Sequence, residues 1–210
     1  MSVLAEIADL VQKGKAQDVS DLVTKAIDEG IPAQEILDEG LLKGMGELGV
    51  KFKNNEVFVP EVLIAARALN KGTETLKARL IDLDVKPVGK VIVATVAGDL
   101  HDIGKNLVKL MLEGAGFEVI DLGTDVPAEK IVDAVKEHSP DVVALSALLT
   151  TTMSSQGEAI KALTEAGIRD NVKVIVGGAP ITEAFAKEIG ADGYSEDASG
   201  AAEAAKAFVS

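Results

Sequence analysis

Residues 91–114, "VIVATVAGDLHDIGKNLVKLMLEG", compress a strand, a loop and a helix into one stretch. Val91–Ala97 is apolar at nearly every position, which suits a strand of a parallel sheet covered on both faces. "GKNLVKLMLEG" spaces its apolar residues by three and four and ends in glycine, so it predicts an amphipathic helix. Between them lie Gly98, Asp99, Leu100, His101, Asp102, Ile103 and Gly104. One of only two histidines in the chain therefore sits between two aspartates at the exit of a buried strand.

The same texture continues downstream. "FEVIDLG" (117–123), "DVVALSAL" (141–148) and "VKVIVGG" (172–178) read as further strands. "PAEKIVDAVKEHS" (127–139) and "SQGEAIKALTEAG" (155–167) read as the helices between them, with a weaker strand at 192–194 and a last helix at 198–210. This alternation predicts a doubly wound, Rossmann-like parallel-sheet domain over residues 87–210. Upstream the period is helical throughout. "LAEIADLVQKG" and "DVSDLVTKAIDEG" both stop at glycine, a third helix starts after Ile31-Pro32 and a fourth near Pro60, which predicts a four-helix bundle domain over 1–86. "IDLDVKPVGK" (81–90) breaks that period and is expected to be the linker, with Pro87 and Gly89 as its hinge.

Composition removes several function classes. The formal net charge of -13 leaves no general basic surface for nucleic acid. With no cysteine and two histidines, disulfides, thiolate metal sites and thiol nucleophiles are out, and a tetrahedral zinc site is close to excluded. The first residues lack the pattern of a secretory signal and no window resembles a membrane span, so the expected location is cytoplasmic, with neither nucleic acid nor membrane as partner.

Ligands of open parallel sheets bind outside the C-terminal ends of the strands. That rule selects the loop at 98–104, the "SALLTTT" stretch holding Ser146, Leu148, Thr150 and Thr152, and Gly177-Gly178. Each has two readings. His101 is either a loop histidine satisfied by Asp99 or Asp102, with Asp102 capping the helix that starts at Ile103, or a metal ligand whose other ring nitrogen is fixed by Asp99. The double glycine is either a tight strand-to-helix turn or a cradle, and the threonines are either helix caps or site hydroxyls. His138, at a helix end, reads as solvated.

Together the three stretches are more specific. Asp99-x-His101-x-x-Gly104, then Ser146-x-Leu148 after 41 intervening residues, then Gly177-Gly178 after 28 more, resembles the signature of the cobalamin-binding domains of methionine synthase and of corrinoid methyl-carrier proteins. The upstream "GLLKGMGELGVKFKNNEVFVPEVLIAARAL" is similar to the helical cap of the same proteins. The resemblance implies a corrinoid bound base-off, with His101 as the lower axial ligand of cobalt and Asp99 as its hydrogen-bonded relay partner, continued by Thr152. It places Ser146, Leu148, Thr150, Gly177 and Gly178 along the slot for the displaced nucleotide tail, and Tyr194 and Ala198 near the base of that tail. On the cap it implies Phe52, Phe58, Val59 and Val62 as an apolar shield for the methyl face, for which ordinary bundle core is the other reading.

The implied function is a methyl carrier, not catalytic on its own. It accepts a methyl group on Co(I) from a substrate-specific methyltransferase and presents methyl-Co(III) to a second methyltransferase with tetrahydrofolate or a thiol as acceptor. A reductive activation protein is the third expected partner. The competing readings are the small cobalamin subunit of an adenosylcobalamin-dependent mutase, a cobalamin sensor, and a receiver-like flavodoxin fold without cofactor.

Overall fold

The computed structural model describes residues 2–79 and 87–210. The chain divides into two compact units, Met1–Lys86 and Pro87–Ser210. In the first, α1 (Val3–Gln12) and α2 (Ala16–Asp28) are followed by a continuous rod of α3 (Ala33–Glu35), a π-helical segment (Ile36–Leu42) and α4 (Lys43–Lys53). Then comes α5 (Val59–Arg79). The widened π segment, which the 3.6-residue period does not announce, sets Gly40 against the Ile7 side chain. One turn on, a Cβ at Gly44 would lie 2.5 Å from the Ala8 carbonyl oxygen. The rod thus meets α1 at backbone distance. Ile7, Val19, Val23, Ile36, Leu41 and Ala65 form the buried apolar interior of this unit.

The second unit is a five-stranded parallel sheet in the order β2-β1-β3-β4-β5. The strands are β1 (Lys90–Thr95), β2 (Glu118–Asp121), β3 (Val142–Ser146), β4 (Lys173–Gly177) and β5 (Gly193–Ser195). The connecting helices are α6 (Ile103–Gly114), α7 (Ala128–His138), α8 (Met153–Glu165), α9 (Glu183–Glu188) and α10 (Ala198–Val209). Strand residues alternate between faces. Ile92, Ala94, Val143, Leu145, Val174 and Val176 point into the core covered by α7, α8 and α9, and α6 and α10 pack on the opposite face. The order reverses between β1 and β3, and such a switch point opens a crevice at the strand ends.

Of the linker expected over 81–90, residues 81–86 lie outside the described residues. Gly89 is not a free hinge. The Val88 N–H donates to the Gly116 carbonyl, the Gly89 carbonyl accepts from Glu118, and a Cβ at 89 would crowd Asp141 and Phe117. His138 is only partly exposed, and its carbonyl accepts a bond from Lys90.

Candidate functional site

The loops after β1 and β3 meet at the switch point, and a single carboxylate joins them. Asp99 has no solvent exposure. Its Oδ1 accepts the His101 backbone N–H at 3.0 Å and lies 2.7 Å from His101 Nδ1. Its Oδ2 accepts from Leu148 N–H at 2.7 Å, Leu149 N–H at 3.3 Å and the Thr152 hydroxyl at 2.8 Å. Burial by itself would raise the Asp99 pKa. The backbone donors Leu148 and His101, the imidazole and the Thr152 hydroxyl outweigh it and hold the carboxyl well below the usual carboxylate range. An ionised Asp99 can only accept, so Nδ1 carries a proton and, in the neutral imidazole, the lone pair is on Nε2. The His101 side chain is half exposed.

Two further features of these loops bear on what could bind there. A Cβ at Gly104 would meet nothing within 4 Å. Leu100 and Ile103, in and just after the histidine loop, are each 74% exposed, and Leu148 and Leu149, whose backbone N–H groups bond Asp99, are exposed as well. Exposed apolar side chains on the two loops that carry His101 and the backbone donors to Asp99 fit a largely apolar ligand. The donor set agrees. Among the described residues no three His, Asp or Glu side chains converge to hold a bare ion. A single imidazole suffices for a metal that arrives with its in-plane ligands already attached, as cobalt does in a corrinoid.

On the α6 and α10 side, strand register aligns Thr95, Ser146, Gly177 and Ser195 in one row across four strands. The row holds only small residues at the C-terminal ends of four strands. The Thr95 hydroxyl donates to the His101 carbonyl at 2.9 Å and so ties the row to the histidine loop. The double glycine has a cause closer than a ligand. A Cβ at Gly178, where φ is +125°, would stand 1.8 Å from the Ala147 carbonyl oxygen, and one at Gly177 would stand 2.8 Å from that of Ser195. Adjacent strand ends approach too closely for any other residue.

The structure also places the remaining expected residues. Asp102 occupies the position before α6, but its carboxylate accepts from the Asn106 side chain at 3.2 Å rather than capping the first turn. The Tyr194 ring turns toward the core under α7, α8 and α9, and Ser195 lies in the row of strand ends. Ala198 is the buried first residue of α10. Val62 has no exposed surface and belongs to the bundle core. Phe58 is 62% exposed, while Phe52 and Val59 are partly buried. Thr150 is exposed on the β3 loop and Gly98, with φ +82°, makes the turn out of β1.

Four residues went unread. Thr95 and Asp125, which accepts from Gly98 N–H at 2.7 Å, hold the histidine loop from below and from the side. Gln156 is fully buried on α8, and its amide nitrogen bridges the Leu145 and Gly177 carbonyls at 3.0 and 3.1 Å while Oε1 finds no partner. Lys105, buried in the first turn of α6, holds both Asp121 oxygens at 2.7 and 2.8 Å. Burial would raise the Asp121 pKa, but the Lys105 bond, the Gly123 N–H and the charges of Lys105 and Lys109 bring it below its ordinary value. Of these, only the aspartate in "DLGTDVP", two residues before a helix-starting proline, left a trace in the sequence.

Comparison with known proteins gives the family. A family model described as a B12 binding domain matches residues 89–203, and a second of the same description matches residues 3–77. The chain is 45% identical over 204 residues to dimethylamine corrinoid protein 3 of Methanosarcina acetivorans, covering 97% of this chain and 95% of the relative. It superposes with a TM-score of 0.89 and 33% identity on a chain of the methanol:cobalamin methyltransferase complex MtaBC from Methanosarcina barkeri, covering 99% of this chain and 79% of that one. A cobalamin-binding protein from Desulfitobacterium hafniense gives a TM-score of 0.82 at 35% identity, with 100% and 99% covered. No helix among the described residues is long and apolar enough to cross a membrane. With matches that run through both units and include the Asp99–His101 loop, the chain belongs to the family of B12-binding corrinoid proteins.

Proposed function

We propose that this protein is the methyl carrier of a corrinoid methyltransferase system and that His101 Nε2 is the lower ligand of cobalt, the corrinoid's own base being displaced. The observation that supports this reading is the Asp99–His101 pair: a buried, ionised carboxylate fixes Nδ1–H, and in the neutral imidazole this leaves Nε2 available to a ligand. When bound, the cobalt centre supplies the nucleophile and the carrier of the methyl group between a substrate-specific methyltransferase and a second one that uses tetrahydrofolate or a thiol, with a reductive activation protein restoring it. The chain's own part is to hold and orient. Asp99 aims the imidazole, Thr152 and the Leu148 loop hold Asp99, and the row Thr95, Ser146, Gly177 and Ser195 leaves room for the displaced tail. The bundle of residues 1–86, with Phe58 bare on its surface, has the role of the apolar lid.

The relatives differ in the donor their names carry, dimethylamine in one and methanol in another. The choice of donor therefore belongs to the partner methyltransferase, and the small size of this chain's polar site is in keeping with that. A cytoplasmic location follows from the same reading, since the expected partners and reductants work there.

Electron paramagnetic resonance of the cob(II)alamin-loaded protein tests the ligand. Nitrogen superhyperfine coupling is expected in the wild type and absent in His101→Ala. Coupling unchanged in that variant would overturn the assignment.

A further inference from the structure

We propose that Asp125 is a positioning residue that sets the direction in which His101 is presented, a role that rests on the reading of His101 as the cobalt ligand. Asp125 lies on the loop between β2 and α7 and grips the neighbouring histidine loop at two points. Its Oδ1 accepts the Gly98 N–H at 2.7 Å, and its own N–H donates to the Asp99 carbonyl at 2.9 Å. The two bonds close a ring around the Gly98–Asp99 peptide. Gly98 has φ +82° and Asp125 has φ +52°. A left-handed backbone is costly for most residues and tolerated by aspartate, whose side chain can bond locally. The same loop grips the strand exit as well, with the Thr95 N–H on the Gly123 carbonyl and the Val126 N–H on the Thr95 carbonyl, both at 3.0 Å.

The division of labour around Asp99 gives this clamp its meaning. The Asp99 side chain is held by the loop after β3, through Leu148, Leu149 and Thr152. Its backbone is held by Asp125. The imidazole hangs from Asp99 Oδ1, so a rotation of the 98–99 peptide would swing the ring and its Nε2 with it. Asp125 is itself exposed, where water would satisfy its carboxylate without help. Stability is thus a weak reason for the bond, and orientation of the loop is the stronger one.

Three variants separate backbone freedom from the lost acceptor. Asp125→Gly keeps the left-handed conformation and removes the acceptor. Asp125→Asn keeps an acceptor oxygen and tolerates the conformation. Asp125→Ala loses both. In the ligand-free protein, Gly98 amide hydrogen exchange should accelerate at least about tenfold in the glycine and alanine variants and stay near wild type in the asparagine variant. Loaded with cobalamin, the glycine variant should bind about 10- to 100-fold more weakly, the range seen for loss of partners that orient a metal ligand. Its Co(II) spectrum should show the nitrogen coupling reduced in amplitude, with recovery in Asp125→Asn. Wild-type coupling and affinity in the glycine variant would overturn the proposal while leaving the cobalt reading intact. So would weaker binding with unchanged coupling, which would mark Asp125 as support for the fold alone. A wild-type spectrum without nitrogen coupling would overturn the cobalt reading, and this proposal with it.

Discussion

The two ends of the sheet each carry an aspartate held below its ordinary pKa, and they achieve it with different partners. At the N-terminal end Asp192 accepts from Arg169 at 2.7 Å and from the Val174 N–H at 2.8 Å, with Lys173 at 3.5 Å. Burial would raise its pKa, and these donors and charges reverse that. At the C-terminal end Asp99 is compensated by backbone N–H groups, a hydroxyl and an imidazole. Arginine spends its donors and holds a fixed charge. Imidazole spends one nitrogen and keeps the other. The first arrangement closes an end of the sheet, whereas the second presents a ring to something outside it.

The sharpest way to break this comparison is Asp99→Ala. It strips the acceptor from buried donors on two loops, so the unfolding free energy from urea titration should fall by about 2–4 kcal/mol, and cobalamin affinity should fall with it. A loss under about 0.5 kcal/mol would mean that the loops are joined by something else. A smaller effect is expected at the other end, where Asp192→Asn should cost about 1 kcal/mol and leave cobalamin affinity unchanged. Both aspartates have folded pKa values below their unfolded ones. Their contribution is complete above the unfolded value near ~3.9 and is lost as pH falls through the folded values. Thermal midpoints should therefore drop on acidification below about pH 4, and less steeply in Asp192→Asn than in wild type. Glu113, raised by burial, acts in the opposite sense and favours the fold as pH falls. The smallest effect is assigned to Gln156→Met. Losing two bonds to strand-end carbonyls is offset by removing a buried oxygen without a partner, so stability should move by less than about 1 kcal/mol. A loss of several kcal/mol would instead give Gln156 a structural weight comparable to that of Asp99.

Legibility followed the kind of residue involved. Strands apolar at nearly every position announce a parallel sheet, and an aspartate two residues before a histidine in a loop is short-range enough to read directly. The helix Glu183–Glu188 escaped notice because six residues show less than two turns of periodicity. Thr95 and Gln156 are ordinary residues of a strand and a helix, and only strand register and tertiary packing bring them to the site. In the bundle the difficulty was chemical. Core and ligand-facing positions are both apolar there, so the pattern that marks Phe58 marks Val62 equally, and only packing reveals that one is bare and the other enclosed. The Asp102 cap failed for a local reason, since Asn106 one turn later offers the carboxylate a competing donor.

The exposed leucines and isoleucine of the loops after β1 and β3 also bear on how the protein behaves in bulk solution. Exposed apolar side chains of this kind favour association between molecules when no ligand covers them. What opposes this is the surplus of thirteen negative charges, whose repulsion reaches about 10 Å at 0.1 M salt and about 3 Å at 1 M. The colloidal stability of the ligand-free protein is therefore salt-sensitive, and loading with corrinoid should widen the range of ionic strength over which it remains dispersed.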